Sequence, residues 1–396
     1  PRGGTVSQTP CALKGNPGSK WLVKFSRPVL PDLIPIPVTR AVINIPAVPY
    51  AMMLDGKIGY IPLLQFNEGA RDELASSVTK LSRNGAKGII IDLRGNPGGI
   101  LDQSLSVSNL FLKKGQQISS IRARNGDNQT FTASDDPIAP TIPLVLLTDG
   151  RRASASEIVA AALQDPHRAP IAVTASFGKG LVQSVFPLDG GYARKMTTAK
   201  WYTPSGRSIQ KERKLLPNGD FVEVRPDSME TDSARRSRPT FRSDAGRIVY
   251  GGGAITPDII VRPDTLTSAE QKVFNAFAPK TSDVRATLID YSLELKKTVS
   301  PNFIVAPAWR EEFYRRLQAK GVTVDHAQYE AAGPEIDRLL GNTVARLAFG
   351  DSTAKRRGVP EDNQLVRSLG VLKQSQTQQD LFAIAQREQA TASARQ

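Results

Sequence analysis

The pattern of apolar and polar positions changes character twice along the chain. In residues 1–45, Trp21 to Phe25 alternates as a strand does, and Pro28, Pro31, Pro35 and Pro37 interrupt the stretch after it; this predicts a small β-rich piece. From about residue 46 the pattern switches between strand and helix. LDGKIGYIPLLQF (54–66) reads as a turn and then a strand. Leu74, Val78 and Leu81 recur at i, i+4 and i+7, the stripe of an amphipathic helix, with Gly85 placed to end it. GIIIDL (88–93) and IPLVLLTD (142–149) are continuous apolar runs, as expected of strands buried on both faces. Helices are expected at Leu105 to Leu112 and over ASEIVAAALQD (155–165). Strand, helix, strand, helix predicts a layered α/β core. Residues 203–247, with QKERK (210–214) and RRSR (235–238), read as a long surface excursion, and GRIVYGGGAITPDIIV (246–261) returns to core character. Beyond residue 265 the chain reads as helical. Thr267 and Glu270 fit a capping box, and Val284, Leu288, Tyr291 and Leu295, then Trp309, Phe313 and Leu317, then Ile336, Leu340, Val344 and Leu347 form stripes that suit packing faces.

Composition narrows the class. No run of 18 apolar residues occurs, so no membrane-spanning helix is expected. Lysine and arginine exceed aspartate and glutamate by 52 − 38 = 14. The excess is spread along the chain, so it reads as a basic surface, and no nucleic-acid partner is expected; steep salt dependence of DNA or RNA binding would be the mark of one. Cys11 is the only cysteine, which excludes an internal disulfide and a CxxC metal site, and with His167 and His326 as the only histidines no zinc site or other cofactor is expected. The chain opens on Pro1 and has no methionine before Met52; it reads as a piece of a longer protein, with any signal peptide upstream.

Three segments at predicted strand ends can carry chemistry. In IDLRGNPGG (91–99) a buried strand runs into glycines whose backbone N–H groups can turn outward and bind an anion, although a plain turn has the same composition. It lacks the GxxxxGK[ST] spacing of a nucleotide loop. In TDGRRASASEIVAAALQD (148–165) a helix begins at or near Ser154. A serine there is most often an N-cap, but the same place favours a nucleophile, because the helix N-terminus and the Ala155 N–H stabilise developing negative charge. Ser156 is the neighbouring candidate for either role. In SFGKGLVQS (176–184), Lys179 stands between Gly178 and Gly180; a lysine taken out of water can accept a proton from a serine. Gln183 reaches Lys179 if the segment turns helically and stays roughly 13 Å away if it is extended. His167, the rival base, falls at the far end of the helix that Ser154 starts, roughly 20 Å away.

Taken together these segments resemble the carboxyl-terminal processing, or tail-specific, proteases of the S41 peptidase family. The resemblance runs from about residue 15 to 262 and rests on RAVINIPAVPYA (40–51), IGYIPLLQF (58–66), IDLRGNPGG (91–99), SASEIVAAALQD (154–165), SFGKGLVQS (176–184), TTAKWYTPSGRSI (197–209) and GGGAITPD (251–258). It implies a Ser154 nucleophile with Lys179 as base, since the family lysine follows the serine by 25 residues and 179 − 154 = 25, whereas 179 − 156 = 23. It implies that Gln183 assists Lys179, and that backbone amides of Gly99 (with Gly98 beside it) and Ala155 form the oxyanion hole. The fold it implies is α/β: a crotonase-like peptidase core over 46–265, a β-rich remnant of a PDZ domain over 1–45, and a helical C-terminal region over 266–396. An exported location, in the periplasm or cell envelope, and a protein or peptide substrate cut near its C-terminus are further implications of the resemblance. Val173 and Ala254 stand where the family carries glycine, and Arg194 where an apolar residue is common. The alternative is a peptide-binding scaffold on the same fold without catalysis.

Overall fold

The computed structural model describes residues 13–25, 32–124, 126–150, 154–216, 221–223, 238–244 and 246–394. The chain divides into two compact units, Pro1–Pro46 and Ala47–Gln396. In the first, Lys20–Phe25 pairs antiparallel with Ile34–Thr39, and the Arg40 guanidinium lies 5.0 Å over the Trp21 ring. The alternating strand read at Trp21 to Phe25 is therefore present.

The second unit is built on a six-stranded sheet with the order Ile259–Ile260, Ile171–Val173, Leu144–Thr148, Gly88–Asp92, Ile58–Pro62, Met52–Leu54. All neighbours are parallel except the last pair, a hairpin closed by the turn that LDGK predicts. Parallel strands need both faces covered, and alternate residues here go to different cores. Ile61, Ile89, Ile91, Leu144 and Leu146 face a core shared with the helices Ala70–Arg83, Leu101–Asn109 and Ala155–Gln164. Tyr60, Ile90, Val145 and Leu147 face the other side, which is covered by Leu365, Leu369 and Leu372 of the helix Asn363–Lys373 and Leu381 and Ala385 of the helix Gln378–Ala394. Each fully buried leucine of this kind stabilises the packing by about 1.5–3 kcal/mol. The C-terminal helices thus form one layer against the large sheet, in addition to a separate helical core of Val284, Leu288, Tyr291, Phe313, Leu317, Ile336 and Leu340 drawn from the three stripes read in the sequence.

A second sheet, antiparallel, has the order Leu181–Pro187, Ala193–Tyr202, Gln117–Ala123, Gln129–Thr132. Two expectations shift. The helix expected at Leu105 begins a turn earlier, at Leu101, directly after the glycine turn. The segment from 203 is not wholly a surface excursion: Thr203, Arg207, Ile209 and Lys211 are buried. Arg207 donates to Asp165 Oδ1 and Gln164 Oε1, both at 2.8 Å. Burial pushes the Asp165 carboxyl up, but the Arg207 charge and the Ser205 amide outweigh it and hold it below the usual carboxylate range. Polar composition misled here because the charges are satisfied by each other inside the fold. Most of RRSR lies outside the described residues.

Candidate active site

Three strand ends of the large sheet bring the predicted segments together. The strand Leu144–Thr148 leads toward Ser154, and the helix Ala155–Gln164 starts on the next residue. Ser154 has φ 60° and ψ −112°. An ordinary N-cap is extended, as Thr267 is in this chain, with φ −64°, ψ 163° and its side chain accepting from the Glu270 amide. A non-glycine residue at positive φ costs of order 1–3 kcal/mol and persists where surrounding structure holds it. Ser156, by contrast, is fully buried and donates its hydroxyl to the Asn96 carbonyl at 3.3 Å. It bolts the helix to the glycine turn.

That turn leaves the strand Gly88–Asp92. The Asn96 side chain donates to the Leu63 carbonyl at 2.8 Å and its Oδ1 accepts the Gly98 amide at 2.8 Å. Gly98 N–H is therefore occupied. Gly99 forms a parallel bridge with Phe66 through its neighbours: Phe66 N–H donates to the Gly98 carbonyl and Ile100 N–H to the Phe66 carbonyl. The Gly99 amide is turned to the other side, without an acceptor among the described residues. Glycine is required here. At φ 150° a Cβ would sit 2.3 Å from the Phe66 carbonyl oxygen. Ala155 N–H is the first amide of its helix, where no intrahelical acceptor exists.

Lys179 is half-buried in the loop after the strand Ile171–Val173. Its amide donates to Glu157 Oε2 at 3.0 Å, and its carbonyl accepts Trp201 Nε1 at 3.0 Å. Glu157, fully buried on the serine helix, also accepts the Ser154 amide on Oε2 at 2.9 Å and the Gly178 amide and Ser176 hydroxyl on Oε1, both at 2.6 Å. Burial raises its pKa, against which the four donors pull. Ser176 Oγ accepts from the Ile255 amide at 2.9 Å, so its proton is the one it gives to Glu157. One carboxyl group thus clamps the backbone of the serine turn to the backbone of the lysine loop. Sequence reading missed Glu157 as a site residue, although the S-x-x-E spacing from Ser154 was there to read as a capping box, both halves of which are present.

Lys179 Nζ and Ser154 Oγ have no hydrogen bond to each other among the described residues. Gln183 is exposed in the strand Leu181–Pro187, next to a bulge between Val182 and Gln183. His167 lies at the far end of the serine helix. Its Nε2 is 2.9 Å from Ser243 Oγ and its ring stacks on Phe382 at 4.6 Å. Burial, with Arg247 nearby, lowers its pKa to about 4. His326 is exposed and pairs with Glu311. Neither histidine takes part in this site.

A serine at positive φ opening a helix, a glycine turn, and a lysine loop tied to the serine backbone through Glu157 are brought together here. Residues 57–227 match the model of Peptidase family S41. The chain is 39% identical over 212 residues to a carboxy-terminal-processing protease of Bartonella bacilliformis, covering 52% of this chain and 48% of that one. It is 36% identical over 211 residues to the carboxy-terminal processing protease CtpA of Bacillus subtilis, covering 53% and 45%. The photosystem II D1 C-terminal processing protease is a solved neighbour at 28% identity and TM-score 0.40, covering 57% of this chain and 59% of that one. The chain spans about half the length of the curated relatives it matches. Among the described residues no helix is long and apolar enough to cross a membrane.

Proposed function

We propose that this chain is a serine endopeptidase that cuts protein chains near their C-termini through Ser154 and Lys179. The observation that carries the reading is the Glu157 carboxyl group, which holds the Ser154 and Lys179 amides on one oxygen beside the glycine turn. Lys179 Nζ takes the Ser154 proton as Oγ attacks the scissile carbonyl carbon. The carbonyl electrons move to oxygen, where the Gly99 and Ala155 N–H groups stabilise the charge. Collapse breaks the C–N bond, and the leaving amine takes the proton from Lys179. Water, deprotonated by Lys179, then attacks the acyl ester and frees Ser154. The serine and lysine side chains close to bonding distance as substrate enters, since catalytic hydrogen bonds tighten in the substrate complex. The bulge before Gln183 turns that side chain from strict strand alternation, and Gln183 assists Lys179.

The same reading makes the core crotonase-like and the hairpin of the first unit the end of a PDZ-type domain. The protein acts outside the cytoplasm, in the periplasm or cell envelope. The C-terminal preference rests on the printed names of the relatives. Fluorescein-labelled β-casein cleavage by Ser154→Ala and Lys179→Ala variants of the 396-residue chain tests it. Both variants are expected to lose more than ~1,000-fold in kcat/KM. Proteolysis at the wild-type rate in either one refutes the assignment.

A further inference from the structure

We infer that Asp362, in the C-terminal helical region outside the matched peptidase segment, is a positioning residue for the oxyanion-binding turn and acts through Arg94. The inference rests on the proposed role of Gly99. Arg94 is the residue on which the glycine turn opens. Its guanidinium uses its whole donor fork: Nε donates to Asp92 Oδ1 at 3.0 Å, Nη2 to Asp92 Oδ2 at 2.7 Å and to Asp362 Oδ2 at 2.8 Å, and Nη1 to Asp362 Oδ1 at 2.9 Å and Gln364 Oε1 at 2.8 Å. Two carboxylates thus grip one arginine from opposite sides, a bidentate geometry that fixes direction as well as distance.

Each side is anchored in turn. Asp92, the last residue of its strand, accepts from the Tyr60 hydroxyl at 2.8 Å and from the Arg94 amide at 2.9 Å. Asp362 accepts from Lys355 Nζ at 2.8 Å and caps the helix Asn363–Lys373 through the Leu365 amide at 3.0 Å. That helix buries Leu365, Leu369 and Leu372 on the sheet face opposite the serine helix. The residues flanking Arg94 along the turn are held by the peptidase core itself: Gly95 N–H by Asp149, Asn96 by Leu63. Arg94 alone of these reaches across to the C-terminal layer. The start of the turn is therefore set by where that layer sits, and Gly99 N–H, further along the same turn, inherits the setting. Oxyanion donors lose their effect with displacements of about 1 Å, so the C-terminal layer acts on the chemical step and hardly on substrate affinity.

Asp362→Asn separates this role from helix capping, because asparagine caps as well as aspartate but cannot hold the two-point ion pair. Initial rates on fluorescein-labelled β-casein should show kcat lowered about 10- to 100-fold with KM within about twofold, an unchanged helical circular dichroism signal, and partial rescue by Asp362→Glu. Wild-type kcat in folded Asp362→Asn overturns the inference, as does a loss confined to KM. Should Asp362→Asn not fold, Gln364→Leu removes one Arg94 contact and keeps both carboxylates. A smaller fall in kcat then supports the inference, and no fall overturns it. Ser154→Ala serves as the parallel control. If it still cleaves, the reading of the site fails. If it is inactive while Asp362→Asn is fully active, only the positioning role fails.

Discussion

The backbone amides of Ser154 and Lys179 donate to the same atom, Glu157 Oε2, at 2.9 and 3.0 Å. Neither amide can move away from the other by more than that shared oxygen allows, so the serine turn and the lysine loop keep their spacing before substrate arrives. Glu157→Gln would replace one acceptor oxygen by an NH2 group facing amide donors. Two of the four bonds would be lost and replaced by donor–donor contact. The expected result is a folded variant with kcat lowered about 100-fold and a lower thermal midpoint. Activity within about twofold of wild type would show that the clamp does not set the dyad.

Gly99→Ala tests the turn. A Cβ at that position meets the Phe66 carbonyl oxygen at 2.3 Å and must push the bridge apart. Loss of one oxyanion donor lowers kcat about 100- to 1,000-fold, with KM nearly unchanged. Steady-state kinetics on β-casein check it, and Gly95→Ala, where a Cβ meets nothing within 4 Å but φ is 73°, serves as the comparison for strain alone.

The neutral His167 gives a pH signature to stability and none to catalysis. Its folded pKa, about 4, lies below the ordinary 6.5 because of burial and the Arg247 charge. Between those values the unfolded chain binds a proton that the folded chain does not, so stability is lost as pH falls from about 6.5 to about 4. Discounted for its half exposure, the effect is about 1–2 kcal/mol. Denaturation at pH 6.5 and pH 4.5 should show a smaller drop in His167→Gln than in wild type; equal drops would contradict this.

Ala254 sits at φ 68°, buried and bonded through its amide to the Ile209 carbonyl. Relief of left-handed strain by Ala254→Gly, less the entropy that glycine adds to the unfolded chain, should stabilise the fold by about 0.5–1 kcal/mol. A lower denaturation midpoint for Ala254→Gly would show that the methyl group's packing outweighs the strain.

Much of the fold was legible because local pattern carried it. The runs GIIIDL and IPLVLLTD are apolar at every core position since alternate residues feed two different cores. Val173 and Ala254, noticed as departures from glycine, both lie at positive φ, 101° and 68°, which is why glycine suits those positions. What was not legible is non-local. Arg94 and Asp362 meet across 268 positions of sequence, and no periodicity announces such a pair. The stripes past residue 265 marked packing faces without saying that the last two helices cover the large sheet. Arg207 and Lys211 looked like surface because charge reads as solvent unless its partner is known.

The most direct test of Ser154 as nucleophile and Lys179 as its base is peptide mapping of the chain after reaction with a fluorophosphonate. A single adduct on Ser154 in the wild-type chain, lost in Ser154→Ala and strongly slowed in Lys179→Ala, is the predicted result. An adduct on Ser156, or labelling of Ser154 at the same rate when Lys179 is alanine, would contradict it.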